Sequence, residues 1–416
     1  MTVEEGSRGA KDFRRNTFGA AADSTGLAAV PEAYRDGTRE AIATYGTPAA
    51  EYVAGFRIGD PLADAAIKSL AEIDPTERHR CIQECMDGDE KAMSRSPRAL
   101  LTLFEAVESA PPWYDRKMIG PGGRALFQHA DVFLAALVLG VIAPGLATTV
   151  GRPHYMTGRV VDAGKQRLRQ NIRHLVEICL PGGLDRHGEG WKSTIRIRIV
   201  HAQVRRLLSR AGWETARFGS PIHAASLLFT AASFSALCLE KVRLLGGRLT
   251  EGTEEAYVHI WRYAAWLMGV PEDMLFHDKA SALRIVDIGF ACEPPPGLEG
   301  IAMANAIVNS APLVIGVSDL AKRRKMARQL YRVSRSLIGN SVADQLRFPN
   351  RFAFGMLPAL RFKHGLLGTL HRLSRGARNR RRARNTAELL AWAQLSPEVR
   401  PYGLPDHADH GLSSSW

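Results

Sequence analysis

The sequence predicts an all-α protein organised around one large helical domain. Three observations carry this expectation. Apolar residues recur at spacings of three and four, Gly and Pro clusters punctuate the periodic segments, and strand-like alternation is scarce. The one alternating stretch, Ile195-Arg-Ile-Arg-Ile199, sits inside a longer helical pattern.

Taken in order, residues 1–30 are rich in Gly, Ala and Ser and read as a disordered segment. Residues 31–110 read as short helices with polar connections. Asp60-Pro61 and Asp74-Pro75 mark helix starts, a capping carboxylate followed by proline at the first helical position. Pro112-Trp113-Tyr114-Asp115 is a loop entering a helix, and an apolar helix follows to about Pro144. After the loop Gly151-Arg152-Pro153-His154-Tyr155 comes a long amphipathic helix, about 158–180. Its stripe is Val161, Gly164, Leu168, Ile172, Leu175 and Cys179, and it stops at Pro181-Gly182-Gly183. Ser193 is placed to cap the next helix, about 194–211, and Ser220-Pro221 to start a second apolar helix ending before Gly246-Gly247. A further helix spans about 253–268 and stops at Gly269. Pro294-Pro295-Pro296-Gly297 is a break, after which helices run from about 300 into the 330s and again near 355–375. The main domain is expected over 31–345, with a helical, Arg-rich extension and tail over 346–416.

At 416 residues, with 45% apolar and 23% charged, the chain is long enough to bury a sizeable core. Val132–Gly151 and Gly219–Leu239 are uncharged and long enough to span a bilayer. Pro144-Gly145 in the first, and the Ala, Ser and His223 content of the second, favour buried core helices instead. The net charge of +13 is compatible with nucleic acid, an anionic membrane or an acidic ligand. Lys322-Arg323-Arg324-Lys325 reads as a solvated helix face. Arg375–Arg384, with six arginines in ten residues, reads as a solvated tail, with peripheral membrane contact as the alternative and nucleic acid disfavoured. Five cysteines without a Cys-x-x-Cys pair exclude zinc ribbons and thioredoxin-like motifs and suit a reducing compartment. The stretch after Arg14-Arg15 is too weakly apolar for a secretory signal, so the expected location is cytoplasmic.

The helix at 194–211 carries the most chemical information. Ile197, Val200, His201, Val204 and Leu208 form one stripe, which turns His201 inward. Arg198 lies three residues before His201 and Arg205 four after, on nearly the same face. An imidazole framed by two guanidiniums suits a haem, the ring nitrogen binding iron and the arginines pairing with the propionates. The plainer alternative is a core histidine, with both arginines partnered by carboxylates elsewhere in the chain. On the preceding helix, Asn171 shares the buried side with Leu168 and Leu175, and Arg167 lies one turn earlier. A buried amide and guanidinium need partners, which a haem edge, dioxygen or a substrate would supply, or which they supply to each other.

Several segments resemble the rubber oxygenases, or latex clearing proteins, and the MpaB-type oxygenases. They are Pro112-Trp113-x-Asp115, Thr157-Gly158-Arg159, Arg167-Leu-Arg-Gln-Asn171, Arg198-Ile-Val-His201-Ala202-x-Val204-Arg205, Gly212-Trp213, Phe218-Gly219-x-Pro221-Ile222, Phe234-Ser235, and Tyr257-x-x-x-Trp261 to Gly269-Val270-Pro271. The likeness covers about 105–345. It implies a globin-like helical core holding haem b, with His201 as the axial ligand to the iron and dioxygen as co-substrate. Known members cleave an isoprenoid carbon–carbon double bond. Rubber-cleaving members carry Lys and Thr where this chain has Gln170 and Asn171, and a glutamate upstream that has no counterpart between Asp131 and Asp162, so that role is unfilled or falls to Asp162. A smaller apolar or amphipathic substrate is therefore expected. Arg167, Gln170 and Asn171 are the expected catalytic residues, and His201, Arg198 and Arg205 the expected haem contacts. A non-catalytic haem carrier or sensor, or a basic helical adaptor without cofactor, are the alternatives.

Overall fold

The computed structural model describes residues 29–89, 93, 95–157, 164–350, 355–362, 364, 385, 387 and 389, with the backbone alone for 164–167. The expected disordered segment, up to residue 28, and the Arg375–Arg384 block lie outside the described residues. No strand forms among the described residues, as the all-α expectation requires.

Short helices come first: α1 (Arg35–Tyr45), α2 (Thr47–Ala54), α3 (Pro61–Leu70), α4 (Pro75–Asp87) and α5 (Arg98–Glu105). Asp60 and Asp74 cap α3 and α4 as the Asp-Pro pairs predict, accepting from the Ala63 and Thr76 amides. The core helices follow. These are α6 (Ile119–Gln128), α7 (Ala130–Leu137), α8 (Arg152–Met156), α9 (Gly164–Cys179), α10 (Glu189–Arg210), α11 (Ala224–Leu244), α12 (Glu251–Leu267) and α13 (Lys279–Cys292). Two more, α14 (Leu298–Val314) and α15 (Leu320–Ile338), pack on one another, and α14 also lies against α9.

Three boundaries differ from the sequence reading. α10 starts at Glu189, so Ser193 and Thr194 lie inside the helix and donate to Gly190 O at 3.1 and 2.6 Å. The Gly-rich loop makes this possible: it folds back so that the Trp191 amide donates to Gly183 O at 2.8 Å. α11 starts at Ala224, capped by His223 and not by Ser220. The expected loop Gly151–Tyr155 is mostly the short helix α8, with Pro153 in the first turn where its missing N–H costs nothing.

Two helices carry a π-helical turn. α7 continues through Val138–Ile142, and α11 widens at Ser233–Leu237. Pro144 clashes with the carbonyl four residues back, Gly140, and so forces the first turn open. In the second, the Ser235 hydroxyl donates to Ala231 O at 2.8 Å and competes for the helix's own acceptors. α11 is long and apolar enough to cross a membrane, yet 67% of its most apolar window is buried inside the protein, as expected of a core helix. α6 is pinched between α12 and α9. A Cβ at Gly122 would stand 2.5 Å from Ala256 O, and one at Gly123 would run into Cys179 O.

One apolar cluster spans the fold from Val30 to Phe348 and includes Leu389. Leu346 and Phe348 belong to it, so the core does not stop at residue 345. The α10 stripe divides. Ile197 joins the main core, whereas Val200, Val204 and Leu208 pack separately with Met156, Trp213 and Ile222.

Candidate active site

Helices α9, α10, α11 and α12, with the segment 141–154, enclose a cavity. The cavity volume is about 160 Å³. Its walls are largely apolar, with Ile142, Leu146, Leu227, Phe229, Phe234 and Met268. Trp213 and Trp261 add indole faces. No Asp, Glu, Lys or Arg lines it among the described residues; the polar groups are histidines, hydroxyls and one amide.

The two π-helical turns shape this wall, Val141 and Ile142 coming from one, Ser233 and Phe234 from the other. Such turns often mark functional sites. Trp261 Nε1 donates to Tyr257 Oη at 2.8 Å, and Tyr257 Oη donates to Phe234 O at 3.2 Å, which fastens the second turn to α12.

Of the sequence-predicted residues, His201 and Asn171 both line the cavity, from α10 and α9. His201 is half-buried, not sealed in the core. Gln170 is half-buried and does not line the cavity. The Arg167 side chain, Gly158-Arg159 and Asp162 lie outside the described residues.

Arg198 and Arg205 depart from the expectation of propionate contact. Neither lines the cavity, because α3 lies along α10 and takes both guanidiniums. Arg198 is buried and bidentate on Asp60, Nε to Oδ2 at 2.6 Å and Nη2 to Oδ1 at 2.9 Å. Arg205 Nε donates to Asp64 Oδ1 at 2.7 Å and Nη1 to Ile222 O at 3.4 Å. Burial alone would raise the Asp60 carboxyl; the Arg198 charge and hydrogen bonds, helped by Arg205, outweigh it and hold it below the ordinary value. The plainer alternative, arginines partnered by carboxylates of the chain, is the arrangement found.

Sequence reasoning gave no role to two further cavity histidines. His174 Nε2 lies 2.9 Å from Thr194 Oγ1, whose own proton goes to Gly190 O, so the ring donates here. Burial pushes His174 down to about 4 and His223 down to about 3, so both are neutral. Their spacing matches no metal motif, and only tertiary packing brings them to one cavity. Among the described residues no group of three or more His, Cys, Asp or Glu is placed to hold a bare metal ion.

A second cavity, about 240 Å³, adjoins the first. Thr149 and Phe218 line both. Arg152 and Arg217 line the second and stack on the Phe218 ring, 4.1 and 5.0 Å from its centroid.

Residues 122–362 match the family described as ER-bound oxygenase mpaB/B'/Rubber oxygenase, catalytic domain. The chain belongs to this family. A rubber oxygenase of Streptomyces sp. (strain K30) is 26% identical over 264 residues, 60% of each protein, so the alignment spans about three fifths of that relative. A solved structure, that of latex clearing protein LCP in the closed state, superposes with a TM-score of 0.63 at 19% identity, covering 85% of this chain and 95% of that one. That likeness establishes a shared all-α fold. The match includes both π-helical turns, His201 and Asn171.

Proposed function

We propose that this family member is a haem-dependent oxygenase that uses dioxygen on an apolar or amphipathic small molecule. The observation that carries the reading is His201, a half-buried imidazole on the wall of a cavity whose described lining is largely apolar and holds no Asp, Glu, Lys or Arg. A bare ion would need several protein donors. A single imidazole would fit an iron whose other ligands a porphyrin supplies, and indole and aliphatic walls would fit the macrocycle. When bound, haem b would supply the redox chemistry with dioxygen.

The chain's own residues bind, orient and exclude water. His201 would hold the cofactor. Asn171 would donate its amide hydrogen bond to a polar group of the bound molecule, a role also proposed for Arg167; Gln170, off the cavity wall, would act only through its neighbours on the same helix. Arg198 and Arg205 act at one remove, fixing α10 against α3 and with it the position of His201. With Arg198 and Arg205 held by Asp60 and Asp64, the propionate partners proposed in their place are Arg152 and Arg217, stacked on the shared wall residue Phe218. Oxidative cleavage of a carbon–carbon double bond is the reaction favoured by family membership. Peripheral membrane contact through the Arg375–Arg384 segment remains part of the proposal, and the compartment proposed is the cytoplasm.

The test is an absorption spectrum of the purified protein with haem. The parent should show a Soret band, and His201→Ala should give a folded protein without it, whereas His174→Ala should keep it. An unchanged Soret band in His201→Ala would overturn the assignment. Consumption of dioxygen with an alkene separates an oxygenase from a haem carrier or sensor.

A further inference from the structure

A chain of hydrogen bonds leaves the cavity wall and ends on a carboxylate behind it. Glu293 follows the last residue of α13 and is partly buried. Its carboxylate accepts from the Thr149 amide at 2.8 Å and from Thr149 Oγ1 at 2.8 and 2.9 Å. Thr149 Oγ1 lies 2.6 Å from Tyr34 Oη, which lies 3.3 Å from His223 Nε2. Tyr34, Thr149 and His223 all line the cavity.

The donors can be assigned in one direction. The Ser226 amide donates to His223 Nδ1 at 3.0 Å, so the neutral ring carries its proton on Nε2 and donates it to Tyr34. Thr149 spends its proton on Glu293, so Tyr34 must donate to Thr149. With Glu293 ionised, both hydroxyls point their protons away from a bound molecule and offer it lone pairs. With Glu293 protonated, the carboxyl donates to Thr149, and the hydroxyl protons are free to turn to the cavity.

We propose that Glu293 is the proton store of this cavity, exchanging a proton with the bound molecule through the hydroxyls of Thr149 and Tyr34. The balance is simple. A cavity group gives its proton to Tyr34 Oη, the tyrosine proton passes to Thr149 Oγ1, and the threonine proton passes to Glu293. The donor keeps its electron pair, no electron moves, and the reverse sequence returns the proton. The inference rests on the cavity being where the substrate binds.

Burial pushes the Glu293 carboxyl up to about 7, against the two Thr149 bonds that favour its charge. Among the described residues no Lys or Arg pairs with it. Arg152 is engaged by Glu299 at 2.8 Å and Glu214 at 3.9 Å. The other titratable neighbours, Tyr34, Tyr52 and Cys292, are all pushed up by burial and stay neutral. The carboxyl is thus placed to change charge around neutral pH beside the cavity.

Two readouts that need no turnover test this on the whole protein. Infrared titration should show one carboxyl protonating near 7 in the parent and in Tyr34→Phe, absent in Glu293→Gln. Acetophenone, a ketone that can only accept hydrogen bonds, probes the hydroxyls. Its affinity should fall about tenfold as pH rises through the transition, the worth of one hydrogen bond. It should be flat in Glu293→Gln and in Tyr34→Phe combined with Thr149→Val, which removes both hydroxyls. A carboxyl that titrates in the ordinary range overturns the proposal, and so does an affinity step that survives in either variant. If both readouts hold while no dioxygen is consumed with any alkene, the oxygenase reading fails and the proton store stands.

Discussion

Asp60 and Asp64, one turn apart on α3, meet Arg198 and Arg205, two turns apart on α10. The Arg198–Asp60 pair is buried on both sides, so its worth lies mainly in what its disruption costs. Arg198→Leu should destabilise the protein by about 3 kcal/mol by leaving Asp60 charged with only Arg205 Nη2 at 4.0 Å as a cationic partner, read as a fall in the urea midpoint. Asp60→Leu with Arg198→Leu should recover most of that loss, since apolar replacement of a buried pair is often neutral. A propionate contact makes the opposite prediction, lost haem affinity at unchanged stability and no rescue by the second substitution. Because the folded Asp60 carboxyl is held below its ordinary value, this contribution is complete above the ordinary carboxylate range. It is lost as pH falls through the depressed value. Asp60→Asn should therefore flatten acid unfolding in a pH series. At this scale the sequence exposes His201 and Asn171, because each shares a helical stripe with apolar neighbours. It hides Glu293, Thr149, Tyr34 and His223, which stand on four separate segments and meet only through packing.

Helices were legible where their signals are local. The carboxylates at Asp60 and Asp74 cap because an Asp-Pro pair fixes both the acceptor and the backbone angle. Ser193 and Ser220 fail as caps because a folded-back loop and the His223 ring supply the start of α10 and α11. The π-helical turns were illegible, since both lie in uncharged stretches that are apolar on every side and so show no break in periodicity. α6 illustrates a cost that composition alone does not explain. Two adjacent glycines inside a helix each sacrifice about 1 kcal/mol relative to alanine. Here they permit contact with the backbones of α9 and α12. Gly123→Ala should push α6 off Cys179 and destabilise by about 1–3 kcal/mol despite the better helix propensity. Thermal unfolding checks this, and a stabilised variant would show that α6 has room to shift. Gly252→Ala, where nothing lies near the added methyl, is the control and should be neutral or stabilising.

Across the whole molecule, one continuous core joins short N-terminal helices to the cavity-forming bundle, and ligand binding should couple to its stability. Haem at a hundred times its dissociation constant should raise stability by about 2.7 kcal/mol, seen as a higher melting temperature in the parent and not in His201→Ala. The overall charge is +13, yet the described cavity wall carries no charged side chain, so the basic surface acts mainly on approach. The partition between the two cavities is thin, with Phe218 serving both and held by two stacked guanidiniums. The shared ring would act as an inner exit beside the mouth of the first cavity, and its looseness would add to the escape rate. Phe218→Ala should merge the two voids and speed escape of a small apolar probe more than it weakens its equilibrium binding. Stopped-flow displacement would measure this. The lifetime of a molecule inside would then be set in part by one aromatic ring and the two arginines that hold it, at a distance from the groups that act on it.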